Sequence, residues 1–200
     1  MPPRPSTPRP AAPAAEQVDP ASLFIVSHPD PVLHKKAKHI PPADDHTRAV
    51  AVRMLQLMHQ AEGIGLAAPQ VGLLWRMFIL HVPEDADDDR SASSDPPEAT
   101  TAPRVYINPV ITAYHGPLEP FEEGCLSLPD IRGDVLRPPQ VTVTATDEHG
   151  KPFTHTAAGL LARCIQHELD HLDGVLIIDK MTQQSRMKNK KKIKELEQGD

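Results

Sequence analysis

The chain has 200 residues, enough for one domain with a substantial core and too few for two comfortable ones. A net charge of −6 at pH 7 argues against a general nucleic-acid binder, and two cysteines are too few for a disulfide-built scaffold. No apolar run reaches the length of a membrane span, so a cytoplasmic protein with free thiols and no membrane contact is expected.

Proline is abundant, with 23 residues, and gathers in the opening stretch and near residue 96. Residues 1–20 are expected to be a disordered Pro/Ala-rich tail, because Pro removes donors and blocks helix. The opening MPPRPSTPRPAAPAAEQ lacks the apolar core of a secretory signal, and its prolines oppose the amphipathic helix of a targeting peptide. The stretch HTRAVAVRMLQLMHQAEG sets Val50, Met54, Leu57 and Met58 at helical spacing, with Gly63 as its stop. WRMFILHV reads as a strand. The acidic, Ser/Pro-rich piece 84–103 reads as a mobile insertion between two strands, clear of any site. RVYINPVITAY resumes strand character, and VTVTATDEHG alternates and ends in a turn. From Ala157 to about Leu172, Leu160, Leu161, Cys164, Ile165, Leu169 and Leu172 give one broad apolar helical face. Residues 183–200 form a basic C-terminal helix or tail, leaving 21–182 as a single domain.

The strongest chemical signal lies in that second helix: His167-Glu168-Leu169-Asp170-His171. Positions i and i+4 lie one above the other, so two imidazoles can grip one ion while the adjacent glutamate reaches a water. Amide hydrolysis needs such a base, because a proton must leave water and reach nitrogen. A solvated charged helix could spell the same letters, but here the surroundings are apolar, and half-buried His and Glu need partners that a metal supplies.

Two histidines leave a third ligand to find. The extended zinc-protease pattern would place a third His where Ile177 stands, although Gly174 is in register. Glu195 and Glu197 sit in a lysine-rich end, a poor place for a buried ligand. Cys125, within Glu123-Gly124-Cys125-Leu126-Ser127, remains. Alone it would read as a small buried hydrophobe. Beside two imidazoles and a cation, its thiolate would be stabilised, and the Leu126 N–H could point at an oxyanion. The segment Gly63-Ile64-Gly65-Leu66-Ala67-Ala68-Pro69-Gln70 has little side-chain bulk, so another chain can lie against it, and Gln70 offers an amide donor. Taken alone it is a tight turn between helix and strand.

GIGLAAPQ, EGCLS and QHELDH, in this order, resemble the G-x-G-x-A-A-x-Q, E-G-C-x-S and Q-H-E-x-D-H segments of bacterial peptide deformylases, from about Ser27 to Lys180. The resemblance implies an α+β fold with antiparallel sheets packed around a central helix carrying the HExxH motif. It implies a hydrolase of protein biosynthesis that removes the formyl group from N-formylmethionyl peptides and releases formate. Cys125, His167 and His171 would hold one divalent metal, Fe(II) by resemblance, with Zn, Ni or Co possible in purified protein. Glu168 would move the proton, and Gln70 and the Leu126 N–H would steady the oxyanion. Gly65 would meet a substrate strand laid along Ile64 to Leu66. Ile64, Phe121, Leu160 and Cys164 would wall the methionine slot. Glu123 would pair with Arg137, or else Arg132, which could instead meet the substrate at the mouth. The basic end RMKNKKKIKEL has two readings: a solvated helix end, or, by resemblance to family members with a long terminal helix, a contact with ribosomal RNA.

Three rival readings remain, one of which keeps the fold but removes a different acyl group. A metallopeptidase of the zinc type would need a third ligand other than Cys125. A non-catalytic ribosome-associated module of the same fold would have little use for Glu168.

Overall fold

A computed structural model describes residues 18–198 apart from 86, 88 and 89. The tail expected over residues 1–20 therefore lies almost wholly outside the described residues. Val18 already packs against the first core cluster, two residues before the expected boundary.

Asp44 opens helix α1 (Asp45–Gln60) by accepting from the Thr47 amide at 2.8 Å, which satisfies one otherwise free donor. Val50, Met54, Leu57 and Met58 are buried against Leu66, Met77 and Ile79. The helix ends before the expected glycine. Glu62 takes the left-handed backbone (φ 55°), and Gly63 follows by donating to the Met58 carbonyl at 2.9 Å.

Among the described residues seven strands follow: β1 (Gly65–Ala67), β2 (Met77–Leu80), β3 (Arg104–His115), β4 (Glu119–Cys125), β5 (Leu128–Arg137), β6 (Gln140–Thr146) and β7 (Pro152–Ala158). Five form one antiparallel sheet in the order β1-β2-β3-β6-β7, and β4 and β5 form a separate hairpin. β1 is thus an edge strand whose outer side has no strand partner among the described residues.

Helix α2 (Gly159–Leu172) lies on the sheet and buries Leu161, Ala162, Ile165 and Leu172 among Phe78, Tyr106, Val141 and Val143. It begins later than Ala157 because Ala157 and Ala158 complete β7. The arrangement is the expected α+β one, with antiparallel sheets around a central helix.

A third cluster joins the hairpin residues Leu128, Ile131 and Val135 to Ile177 and Ile178 of α3 (Ile177–Lys180) and Ile193 of α4 (Gln183–Gln198). The basic end is therefore a docked helix. Ser185, Asn189 and Ile193 face inward, Asn189 Nδ2 donates to the Arg132 carbonyl at 2.7 Å, and Ser185 Oγ accepts from the Asp134 amide at 2.9 Å.

The 84–103 segment joins β2 to β3 as expected, but it does not stand clear of the helix bearing the histidines. Ala99 and Thr100 are buried, and the Pro97 and Glu98 carbonyls accept from Ala158 and Leu161 at the start of α2. Helix N-termini leave amides without intrahelical acceptors, and α2 has no side-chain cap of its own. Among the described residues no helix is long and apolar enough to cross a membrane.

Candidate metal centre

Helix α2 carries His167 and His171 one turn apart, with Nε2 atoms 3.2 Å from each other. Cys125 comes from the end of β4, where the pairing with β5 shifts register between Gly124 and Cys125. Such irregularities re-aim a side chain. The Cys125 Sγ lies 3.2 Å from His171 Nε2, and one ligand atom from each of the three residues falls within 4.8 Å of the others. No other set of three His, Cys, Asp or Glu donors gathers so tightly among the described residues. Glu195 pairs with Lys191 and Glu197 approaches His28, so neither glutamate is in this group.

The donor set fits a divalent transition metal: one thiol and two imidazoles, partly to fully buried. His167 Nδ1 lies 3.0 Å from Glu123 Oε2, which turns its Nε2 toward the sulfur. Glu123 is itself buried and takes two bonds from Arg137, at 2.6 and 2.9 Å, and one from Arg163 at 2.9 Å. Burial alone would raise the Glu123 pKa, but the bonds from Arg137 and His167 hold it well below the usual carboxylate range. Burial, then the neighbouring His167 charge, drives the His171 pKa well below its ordinary value and keeps a lone pair available.

Glu168 is buried beside the ligands. Its Oε2 has no hydrogen-bond partner, and burial pushes its pKa up to about 7. The Gln70 Oε1 accepts from the Ala67 amide at 2.8 Å, which leaves Nε2 facing Ser127 Oγ at 3.3 Å and Cys125 Sγ at 3.6 Å. A cavity of about 610 Å³ is lined by Ile64, Gly65, Gln70, Phe121, Cys125, Leu126, Arg132, Leu160, Cys164, His167 and Glu168. Every site residue named from the sequence is there except His171, which is 1% exposed behind the cleft. Cys164 Sγ donates to the Ile64 carbonyl at 3.6 Å, which ties α2 to the segment entering β1.

One alternative needs correction. Arg132 does not reach Glu123; it pairs with Glu122 at 2.9 Å in a largely exposed contact, because neighbouring carboxylates of a strand face opposite sides. Phe121 is half exposed at the rim, with the Arg163 guanidinium 5.0 Å from its ring centre.

Sequence reasoning missed Arg163, Ser127 and Asp170. Asp170 accepts from Arg137 at 2.7 Å and from Lys180 at 2.9 Å, extending the charge network behind His167. A usable signal existed for Arg163: an arginine inside the apolar run Leu160-Leu161-Ala162-Arg163-Cys164-Ile165 needs a buried acid.

A family model described as polypeptide deformylase matches residues 23–187. A peptide deformylase of a Picosynechococcus species is 47% identical over 152 residues, covering 76% of this chain and 75% of that protein. A second relative, peptide deformylase 2 of Gloeobacter violaceus, is 46% identical over 81% of this chain and 80% of its own. Among solved structures, a plant peptide deformylase superposes with a TM-score of 0.79 at 36% identity, covering 92% of this chain and 93% of that one. That of Ehrlichia chaffeensis gives 0.78 at 32% identity, with 88% and 96% covered. On the family match, together with relatives of this identity and coverage, the chain belongs to the peptide deformylase family.

Proposed function

We propose that residues 21–182 form a catalytic domain that hydrolyses the formyl group from the N-terminal formylmethionine of nascent polypeptides, releasing formate and a free amine. One observation carries the reading: Cys125, His167 and His171 converge beside Glu168, whose Oε2 is buried and unpartnered.

Cys125, His167 and His171 would hold one divalent ion, which when bound polarises the formyl carbonyl and makes water a better nucleophile. Glu168 takes the proton from water and returns it to the leaving nitrogen, a task suited to a carboxylate whose burial lifts its pKa to about 7. Gln70 Nε2, held by the Ala67 amide on its other side, and the Leu126 N–H donate to the oxygen as charge develops. The free edge of β1 pairs with the substrate backbone along Ile64 to Leu66, and Gly65 leaves room for it. Ile64, Leu160, Cys164 and the Phe121 rim receive the methionine side chain, and Arg132 stands at the mouth.

Iron(II) is the proposed native ion, on the family resemblance. General affinity order favours Zn over Fe(II) at such a site, so Zn, Ni or Co could replace it during purification. The proposed setting is the cytoplasm, with the exposed lysines of α4 against ribosomal RNA phosphate. The test is elemental analysis of anaerobically prepared protein, with formate release from formyl-Met peptides measured on the same sample. One metal per chain with formate release is expected. Stoichiometric metal with no release would overturn the reading.

A further inference from the structure

The first turn of α2 is capped from outside. Gly159 N donates to the Pro139 carbonyl at 3.0 Å and Leu161 N to the Glu98 carbonyl at 3.2 Å. Ala158 N, just before the helix, donates to the Pro97 carbonyl at 2.9 Å. Two of these three acceptors belong to the 84–103 segment. The Glu98 side chain also covers the helix start: a Cβ added at Gly159 would lie 3.1 Å from its carboxyl carbon. A carboxylate there complements the positive end of the helix dipole.

Within it, the stretch 91–100 is held at both ends. Thr100 N donates to the Val82 carbonyl at 2.7 Å, and Thr100 Oγ1 accepts from Val82 N at 3.1 Å. Glu84 Oε1 accepts from Ser91 Oγ at 3.1 Å and Ala92 N at 2.9 Å, and the Ser91 carbonyl accepts from Glu98 N at 3.0 Å. Next to Val82, His81 N donates to the Ile64 carbonyl at 2.8 Å. A short bonded path thus runs from Ile64 on one side of the cleft to the turn carrying Leu160 on the other.

We propose that residues 91–100 form a strap that sets the width of the side-chain slot, with Glu98 as its positioning residue. It holds the first turn of α2 at the distance from Ile64 that admits a methionine-length side chain. The inference rests on the reading of Ile64, Leu160 and Cys164 as the slot wall. His167 lies roughly 10 Å further along the helix than Leu160 at 1.5 Å per residue. It is pinned separately by Glu123, so loosening the first turn disturbs the slot before the metal ligands.

The experiment compares formyl peptides that differ only in the first side chain, Met against Ala, on metal-loaded protein. Glu98→Ala removes the cover on Gly159, and Glu84→Ala releases the strap at its other end without touching α2. Both variants should raise KM for the Met peptide by about threefold or more, the scale of a lost helix cap. The Met-over-Ala preference should fall by a similar factor, with kcat and metal content retained, and Glu98→Gln should restore most of the preference. An unchanged preference in both alanine variants overturns the strap, as does a parallel loss of metal and kcat, which would mean general damage. Leu160→Ala separates the two readings. If it alters the preference and the strap variants do not, only the strap fails; if it too leaves the preference unchanged, the slot reading falls and the strap with it.

Discussion

The Glu123 carboxylate stands 3.0 Å from Nδ1 of His167. Arg137 and His167 keep that carboxylate ionised, Arg163 also binds it, and it orients the imidazole whose other nitrogen faces Cys125. Glu123→Gln should keep the shape and lose the charge, weakening metal affinity by about 10–100-fold. Glu123→Ala should also leave Arg163 buried without its acid and Arg137 with Asp170 alone, at a cost of about 3–5 kcal/mol in stability. Metal titration and chemical denaturation measure the two effects separately. Wild-type metal affinity in both variants would show that Glu123 does not act on His167.

Metal retention and turnover should separate at neighbouring residues. Cys125→Ala should lose the ion, since it removes one of three donors. Glu168→Ala should retain the ion and lose about 10²–10⁴-fold in kcat, the range for general acid–base catalysis. Elemental analysis beside formate release checks both. Full metal content in Cys125→Ala would favour a different third ligand.

Gly65 faces Glu168 directly. An added Cβ would collide with Glu168 Oε1 and sit 2.8 Å from Cys164 Sγ, so one of these groups or the strand must shift. Gly65→Ala should therefore cut kcat/KM more than it lowers the melting temperature, because the displaced group is the proposed proton carrier. Wild-type kinetics in this variant would remove Gly65 and Glu168 from the shared role.

His28 is buried, neither ring nitrogen has a hydrogen-bond partner, and Glu197 Oε1 stands off at 3.9 Å. Burial, then the facing His34, lowers its pKa against the opposite pull of Glu197 and Asp179. The unfolded chain, with the ordinary value near 6.5, therefore takes up a proton before the folded one does. The contribution is present above about pH 6.5 and is lost as pH falls below it. Relative to His28→Leu, the wild type should lose more melting temperature between about pH 7.5 and pH 5.5. Parallel losses in the two proteins would refute the assignment.

Removing α4 would not isolate a ribosome contact, because the cut also removes the buried Ser185, Asn189 and Ile193. Truncation after Gln183 should destabilise the domain by about 2 kcal/mol or more from the lost apolar packing alone. Charge reversal at the exposed Lys188, Lys190 and Lys194 should spare both fold and hydrolysis, while ribosome binding weakens and its salt dependence flattens. Binding that ignores these charges would rule out the proposed contact.

Both long helices near the site could be read from apolar spacing, since Val50, Met54, Leu57 and Met58 report one face of a 3.6-residue repeat. The His167–His171 pair was legible for the same reason: four residues of helix place two side chains together whatever surrounds them. The β4–β5 hairpin was not. Most of β4 is exposed, so Glu119 to Glu122 show no alternation to betray a strand. The role of 84–103 was also hidden, because its acidic composition reports solvent preference and says nothing of which carbonyls meet the start of α2.

The linear chain sufficed for the helices, the paired imidazoles and the list of residues that could do hydrolytic chemistry. Those depend on contacts a few positions apart, and covalent order alone supplies them. Folding was needed to choose Arg137 and Arg163 over Arg132 for Glu123, to turn the Gln70 amide toward Cys125, and to dock one face of the lysine-rich helix on β5. Each of those pairings joins residues on different elements, at least 14 positions apart. Buried charges and helix-end amides take their partners from whatever the sheet and hairpin bring near, and that proximity is a property of the assembled layers.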